Sequence, residues 1–266
     1  MKQLFLLSIL VLALVACQPS DEQCAQSLVS QAQTLVDNGQ WRQARLVIDS
    51  LHVTFPKQVA QRRAAKALSD SITYLESQTT LAYVDTLLPP LLEQADKLIR
   101  RFKYEKNEKY EDYGRYVHRT LATNTNTSRN FIQAYVLDNR QTVVKSYYYG
   151  SKQVNQTSVT LSAADESSLF QGSNHHFQDG AHYEIMTLDN DNSLALLNFI
   201  STHYKDRVRV EGNADSATRN WVYYLNDKEK EALSDTYQLG WLMKDIQRLE
   251  QMQRTATAQI DRFLRK

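Results

Sequence analysis

Apolar residues recur along this chain first at helical spacing, then in alternation, then at helical spacing again. Between Asp21 and Asp37, Leu28, Ala32 and Leu35 share one face of a 3.6-residue repeat, which predicts a helix. Asn38-Gly39 is a helix stop, and a second helix is expected from Trp41 to about Thr54, ending at Pro56. From Lys57 to Leu88 the helical pattern resumes, with Leu68, Ile72, Leu75 and Thr79 on one stripe. Pro89-Pro90 removes two backbone donors and crowds the preceding turn, so the pattern predicts a break or kink there, followed by a helix from Leu91 to about Phe102.

Beyond a charged, tyrosine-rich stretch at 104–116, β-type runs predict strands at Tyr116–Leu121, Phe131–Leu137, Thr142–Tyr149 and Thr157–Ser162. Asn139-Arg140-Gln141 fits a hairpin turn, and Thr123 to Asn130 reads as a polar loop. His175–Gln178 and Ala181–Leu188 form a further hairpin about Asp179-Gly180, a strong turn signal. Asn192 or Ser193 caps a helix running to about Tyr204, and Val208–Glu211 and Trp221–Leu225 read as two more strands.

Asn226 with Glu229 three residues on opens the last helix, which can run to Leu264. Leu242, Ile246, Leu249, Ala256, Ile260 and Phe263 give it a near-heptad stripe that needs a partner helix, as in a coiled coil. The expected partner is 57–88 or the 21–54 hairpin. No parallel βαβ series is present, so the fold class is α+β: an N-terminal helical hairpin and long helices packing with a long C-terminal helix, and a mainly antiparallel β unit inserted between them. The corresponding regions are 17–102 (hairpin 21–56, long helix 57–88), 103–225 (β-rich, with one helix) and 226–266.

The first residues change the picture. Lys2 precedes an almost wholly apolar run from Leu4 to Ala16. A membrane-spanning helix needs about 20 residues, so this shorter run reads as a secretory signal, residues 1–16. It ends in Leu14-Val15-Ala16-Cys17, which resembles the bacterial lipobox; an ordinary secreted protein is the alternative. That resemblance implies acylation of Cys17, palmitate included, and stable anchoring by more than one acyl chain. Gln18 rather than Asp follows Cys17, which under the lipoprotein sorting rule implies the outer membrane. Ser20-Asp21-Glu22 looks like a short surface-export signal or like an ordinary helix N-terminus, leaving the periplasmic face and the cell surface both open.

Removing residues 1–16 takes out Lys2 and no acid, so the formal net charge falls from +1 to zero. A neutral chain has no electrostatic case for nucleic acid. With Cys17 acylated only Cys24 remains, and it has no intramolecular disulfide partner. The partners expected are the membrane, through the lipid at Cys17, and a protein or glycan.

Two resemblances go further. Gly39, Trp41, Ala44, Ile48 and Pro56 fall on the spacing of a single tetratricopeptide unit, which implies a helical hairpin of that geometry. The whole plan is similar to a group of uncharacterised bacterial lipoproteins with a lipobox, a helical N-terminus, a β region and a long C-terminal helix. Asp179, Gly180, Tyr183, Glu184, Ile185, Thr187, Phe199 and Ile200 carry that likeness. It implies no activity.

Candidate chemistry is sparse. If Asp179-Gly180 forms a two-residue turn, Phe177 pairs with His182 and His175 with Glu184, which puts His175, His182 and Glu184 on one face as a candidate zinc set. Tyr147 and Tyr149 in one strand, with Trp221 and Tyr223 in another, are candidate binding aromatics, since such rings bury large area at low entropy cost; ordinary sheet core would produce the same pattern. Asp189 and Asp191 could hold calcium or cap a helix. No nucleophile elbow, zinc-helix motif, phosphate loop or dinucleotide turn is present, and seven glycines leave little material for phosphate-cradling loops. No cofactor is expected. The reading is a non-enzymatic, membrane-anchored envelope lipoprotein that binds or scaffolds a protein or glycan; the alternatives are a small-ligand or metal-binding β domain on a helical stalk, and an enzyme with an unrecognised site.

Overall fold

A computed structural model describes residues 20–122, 126, 128–214 and 220–265. Cys17 and the apolar run before it lie outside the described residues. The fold is α+β, in the order α1 (Asp21–Asp37), α2 (Trp41–Thr54), α3 (Val59–Ile99), β1 (Phe102–Glu105), β2 (Arg115–His118), a 3-10 turn (Arg119–Leu121), β3 (Phe131–Leu137), β4 (Thr142–Gly150), β5 (Ser158–Ala163), β6 (Glu166–Gln171), β7 (Ser173–Asp179), β8 (Ala181–Thr187), α4 (Asn190–Thr202), β9 (Arg209–Asn213), β10 (Trp221–Tyr224) and α5 (Asp227–Leu264). No described helix is long and apolar enough to cross a membrane. The chain forms two compact units, Met1–Val84 with Met252–Lys266, and Asp85–Gln251. The division falls inside α3 and α5, where the sequence pattern placed its limits at 102/103 and 225/226.

In the first unit, local chemistry explains both ends of α1. The Ser20 hydroxyl accepts the Gln23 backbone N–H, and the Gln23 side chain accepts that of Ser20, a reciprocal capping box. At the other end Gly39 adopts φ +71°, and the N–H groups of Gly39 and Gln40 return to Val36 and Leu35, which a residue with a Cβ would resist. Ala32, Val36, Ala44, Ile48, Leu51, Ala65 and Ile72 form this unit's core. The end of α5 packs here as well: Ser77 donates to Gln259 at 2.7 Å, and the rings of Tyr74 and Phe263 stack at 4.6 Å.

The expected break at Pro89-Pro90 does not occur. Helix α3 continues through both prolines to Ile99. Leu88, Leu91, Ala95 and Leu98 keep helical spacing across the pair and pack against Leu242 and Ile246 of α5. Pro89 and Pro90 lie on the exposed side, as do Asp85 and Thr86, whose carbonyls would have accepted the two missing bonds and which water can reach. Burial of the apolar stripe outweighs the local penalty.

The second unit holds a six-stranded antiparallel sheet, β1-β2-β3-β4-β8-β7, and a four-stranded one, β10-β9-β5-β6. Ile132, Val144, Tyr148 and Met186 of the first sheet share a core with Val159, Leu161, Phe170, Val210 and Trp221 of the second and with Leu196, Leu197 and Ile200 of α4. Asn226 and Glu229 form the expected capping box at the start of α5. Three details differ from expectation. Phe102–Glu105 is a strand, paired with β2. Glu166–Gln171 is a strand of the smaller sheet, paired with β5, and its Asp165 lies in the preceding turn. The N-cap of α4 is Asp189, whose carboxylate accepts the Asn192 N–H at 2.8 Å.

Candidate functional site

Strand β4 alternates cleanly. Thr142, Val144, Ser146 and Tyr148 are buried, while Val143, Lys145, Tyr147 and Tyr149 take the opposite face. Antiparallel pairing lines up aromatic rings on that second face. Tyr147 sits between Phe131 and Ile185, and Tyr149 is followed across the sheet by Tyr183 and Phe177. Phe131 and Tyr147 stack with centroids 4.5 Å apart. Tyr149 and Tyr183 lie 5.2 Å apart, and Tyr183 and Phe177 stack at 4.9 Å, parallel within 2°. With Arg129, Asn126 and Asp179 these rings line a cleft of about 320 Å³. That size falls in the range of small-ligand and side-chain pockets.

The charges around the cleft are unequal. Arg129 lies over the Phe131 ring at 5.8 Å, donates to Asn126 at 2.8 Å and pairs at 2.6 Å with Glu229, a buried carboxylate that also accepts the Asn226 N–H. The Arg129 charge is thus compensated within the fold. Tyr147 donates to Gln133 at 3.1 Å, and Gln133 in turn donates to the Leu121 carbonyl at 3.0 Å, so the Tyr147 ring is held in place. Asp179, exposed at the end of β7, supplies a carboxylate at the rim. The described lining contains no serine, threonine, cysteine or histidine. The cleft offers ring faces, hydroxyls and one carboxylate as contacts for a bound group.

The opposite face of β8 carries a different arrangement. Glu184 is fully buried and accepts backbone N–H groups from Val154 (2.7 Å), Asn155 (2.8 Å) and Gln156 (2.6 Å), plus the Asn174 amide (2.9 Å). Burial pushes its carboxyl up, but these four donors together hold it below the ordinary value of 4.5. Glu184 fastens the loop after β4, in which Asn155 takes φ +52°. Its lone pairs are committed to that loop.

This arrangement separates the candidate zinc residues. The register pairs Asp179 with Ala181, Gln178 with His182, and His176 with Glu184, one residue away from the expected pairing. Only Gly180, at φ +70°, separates the strands. Because side chains alternate, a one-residue shift moves His175 to the cleft face, away from His182 and Glu184. The Phe177–Tyr183 stack and the Asn174–Glu184 bond specify this register. His182 instead meets His176, Nδ1 to Nε2 at 3.0 Å. Among the described residues no group of three or more His, Cys, Asp or Glu is placed to hold a metal ion. Asp189 is the cap of α4, and Asp191 accepts from Asn190 in its first turn.

The candidate aromatics also divide. Tyr147 and Tyr149 line the cleft, while Trp221 and Tyr223 lie in β10 of the other sheet. Trp221 is buried in the shared core against Tyr148 at 6.1 Å and stacks on Tyr223 at 5.9 Å. Burial raises the Tyr223 hydroxyl well above its usual value. Sequence reasoning missed Phe131, Tyr183 and Arg129 as site residues. Phe131 and Tyr183 lie in β3 and β8 and Arg129 in the loop before β3; their convergence depends on strand order.

Comparison with protein-family models, curated proteins and solved structures finds no match for this chain.

Proposed function

We propose that this chain is a membrane-anchored lipoprotein of the bacterial cell envelope, without catalytic activity, that presents its β-rich unit to a protein or glycan partner. The observation that carries the binding reading is the cleft of Phe131, Tyr147, Tyr149, Tyr183 and Phe177, a cluster of rings on a sheet face turned away from the shared core. Rings of this kind supply contact area with little side-chain entropy to lose. Anchoring is supported by the lipobox-like ending at Cys17 and by the charged-residue-free run before it. Gln18 supports an outer-membrane destination.

The test has two arms. Cells expressing the wild type are fed an alkyne-bearing fatty acid; label in the wild type and none in Cys17→Ala is expected, and an unlabelled wild type overturns the anchor. A photoreactive residue at position 177 is then crosslinked in intact envelopes. A reproducible adduct that Tyr147→Ala and Tyr149→Ala weaken is expected, and no adduct overturns the binding role.

A further inference from the structure

Resting on that binding reading, we propose that the partner is a polypeptide: an extended, lysine- or arginine-bearing segment that adds as a strand to the free edge of β7 and places a cationic side chain in the aromatic cleft beside Asp179.

The first support is the edge itself. β7 ends the six-stranded sheet, and among the described residues no strand pairs with its outer side. It runs for seven residues in unbroken register with β8, and nearly all of it is exposed. The opposite edge, β1, has only four residues and carries Lys103 and Glu105; of the smaller sheet's edges, β10 is equally short and β6, six residues long, opens on Glu166 and lies away from the cleft. Short length and charge are the usual guards against strand addition, as are lysine, proline and bulges. The segment Ser-Asn-His-His-Phe-Gln-Asp has no lysine, arginine or proline. Its unpaired amide groups match another backbone, which a sugar does not supply in a row.

The second support is charge. Residues 153–204 contain no lysine or arginine, yet hold Asp165, Glu166, Asp179, Glu184, Asp189 and Asp191. All but Glu184 are exposed. Asp179 ends β7 beside the Gly180 turn, whereas Asp189 and Asp191 follow the far end of β8 and Glu166 pairs with His203 in the other sheet, so Asp179 is the acid that the edge and the cleft share. A cationic side chain is drawn to that carboxylate.

The third support is the pocket beside the edge. Phe177 and Asp179 project from β7 on the cleft face, with Tyr183 and Tyr149 behind them. Several rings and one carboxylate are the elements of a cation–π site. Arg129, the cation already present, is paired with Glu229 and lies over Phe131, at the other end of the aromatic row. An added strand lies about 4.8 Å outside β7. The four-carbon stem of a lysine spans that distance and brings its ammonium over Phe177 and Tyr183.

The experiment uses the full chain in detergent and fluorescently labelled eight-residue probes: alternating Lys and Val, the same peptide with Glu for Lys, and a chitotetraose control. Saturable binding of the Lys peptide, weakened by added salt, with no binding of the Glu peptide, is expected. Asp179→Asn, at the exposed last residue of β7, is expected to weaken binding about tenfold, and Phe177→Ala by at least as much. Two versions of the Lys peptide, N-methylated on alternate residues in opposite phase, separate strand addition from pocket binding. One phase blocks the amides that face β7 and is expected to abolish binding; the other is expected to bind. Equal binding of both phases, or equal binding of the Lys and Glu peptides, overturns the proposal. Binding of chitotetraose without the peptide overturns it too, while leaving the envelope-binding reading in place. Absence of all probe binding with a surviving adduct at position 177 overturns only this inference; absence of both overturns the two together.

Discussion

Glu184 accepts the backbone N–H of Gln156 at 2.6 Å, the shortest of the four hydrogen bonds that tie a buried carboxylate to the loop following β4. Gln156 then donates through its own amide to Ser146 at 2.8 Å, linking the loop back to the core face of the sheet. The pair ties the loop to the sheet that bears the cleft on its other face.

Glu184→Gln is therefore expected to destabilise the fold by about 2–3 kcal/mol, since hydrogen bonds to a charged group are worth more than neutral ones and the amide offers a donor where an acceptor is needed. The carboxyl is held below its ordinary value in the folded protein. Its contribution is present above the unfolded value and lost as pH falls through the folded one. Urea unfolding at pH 7 and at pH 3 checks this: the gap between wild type and variant narrows at the lower pH.

His203 behaves in the opposite sense. Its Nδ1 lies 2.9 Å from Asp206 and its Nε2 3.3 Å from Glu166, and these carboxylates raise it above 6.5, the Asp206 bond most, with burial opposing. Protonated His203 stabilises the contact between the end of α4 and β6 below the unfolded value, and that contribution is lost as pH rises through the folded one. The stability difference between wild type and His203→Gln should shrink from pH 5.5 to pH 8.5, and NMR titration should show Glu166→Gln lowering the histidine's pKa.

Gly212 leaves no room for a side chain: a Cβ there would lie 2.0 Å from the Trp221 ring. Gly212→Ala should cost about 1–3 kcal/mol through overpacking. Trp221→Leu in the same chain should return part of that loss, measured by a double-mutant cycle of thermal unfolding.

The prolines of α3 invite the reverse experiment. Because the helix continues through them and both are exposed, Pro89→Ala and Pro90→Ala should each stabilise the protein, by up to about 3 kcal/mol, the helix-interior penalty of proline. An unchanged or lowered unfolding midpoint in both variants would show that the local backbone depends on the prolines.

Much of the helical architecture is legible in the sequence because its causes are local. Ser20 with Gln23, Gly39, and Asn226 with Glu229 act within one turn of the chain, and the apolar stripes of α1, α2 and α5 follow a fixed period. Strands β3 and β4 show themselves in the same way, and so do Tyr147 and Tyr149 as outward-facing residues. What failed was non-local. β1 has four residues, and β6 opens on the polar run Glu166-Ser167-Ser168; both are held as strands by pairing with β2 and β5 beside them. Proline's local penalty at 89 and 90 gives way to packing with Leu242 and Ile246, about 150 residues further along.

The sequence by itself thus determined the α+β class, the helical hairpin, the N-terminal caps of the first and last helices and most strands, since propensity, period and capping are properties of neighbours along the chain. The tertiary structure decided which aromatic side chains meet. A one-residue choice of register sent His175 to one face and His182 with Glu184 to the other, and strand order brought Phe131, Tyr147, Tyr149, Tyr183 and Phe177 from four strands into one cleft. The period of a strand is two, so its two faces are known before folding, but which face is buried and which strands adjoin depend on contacts between distant segments.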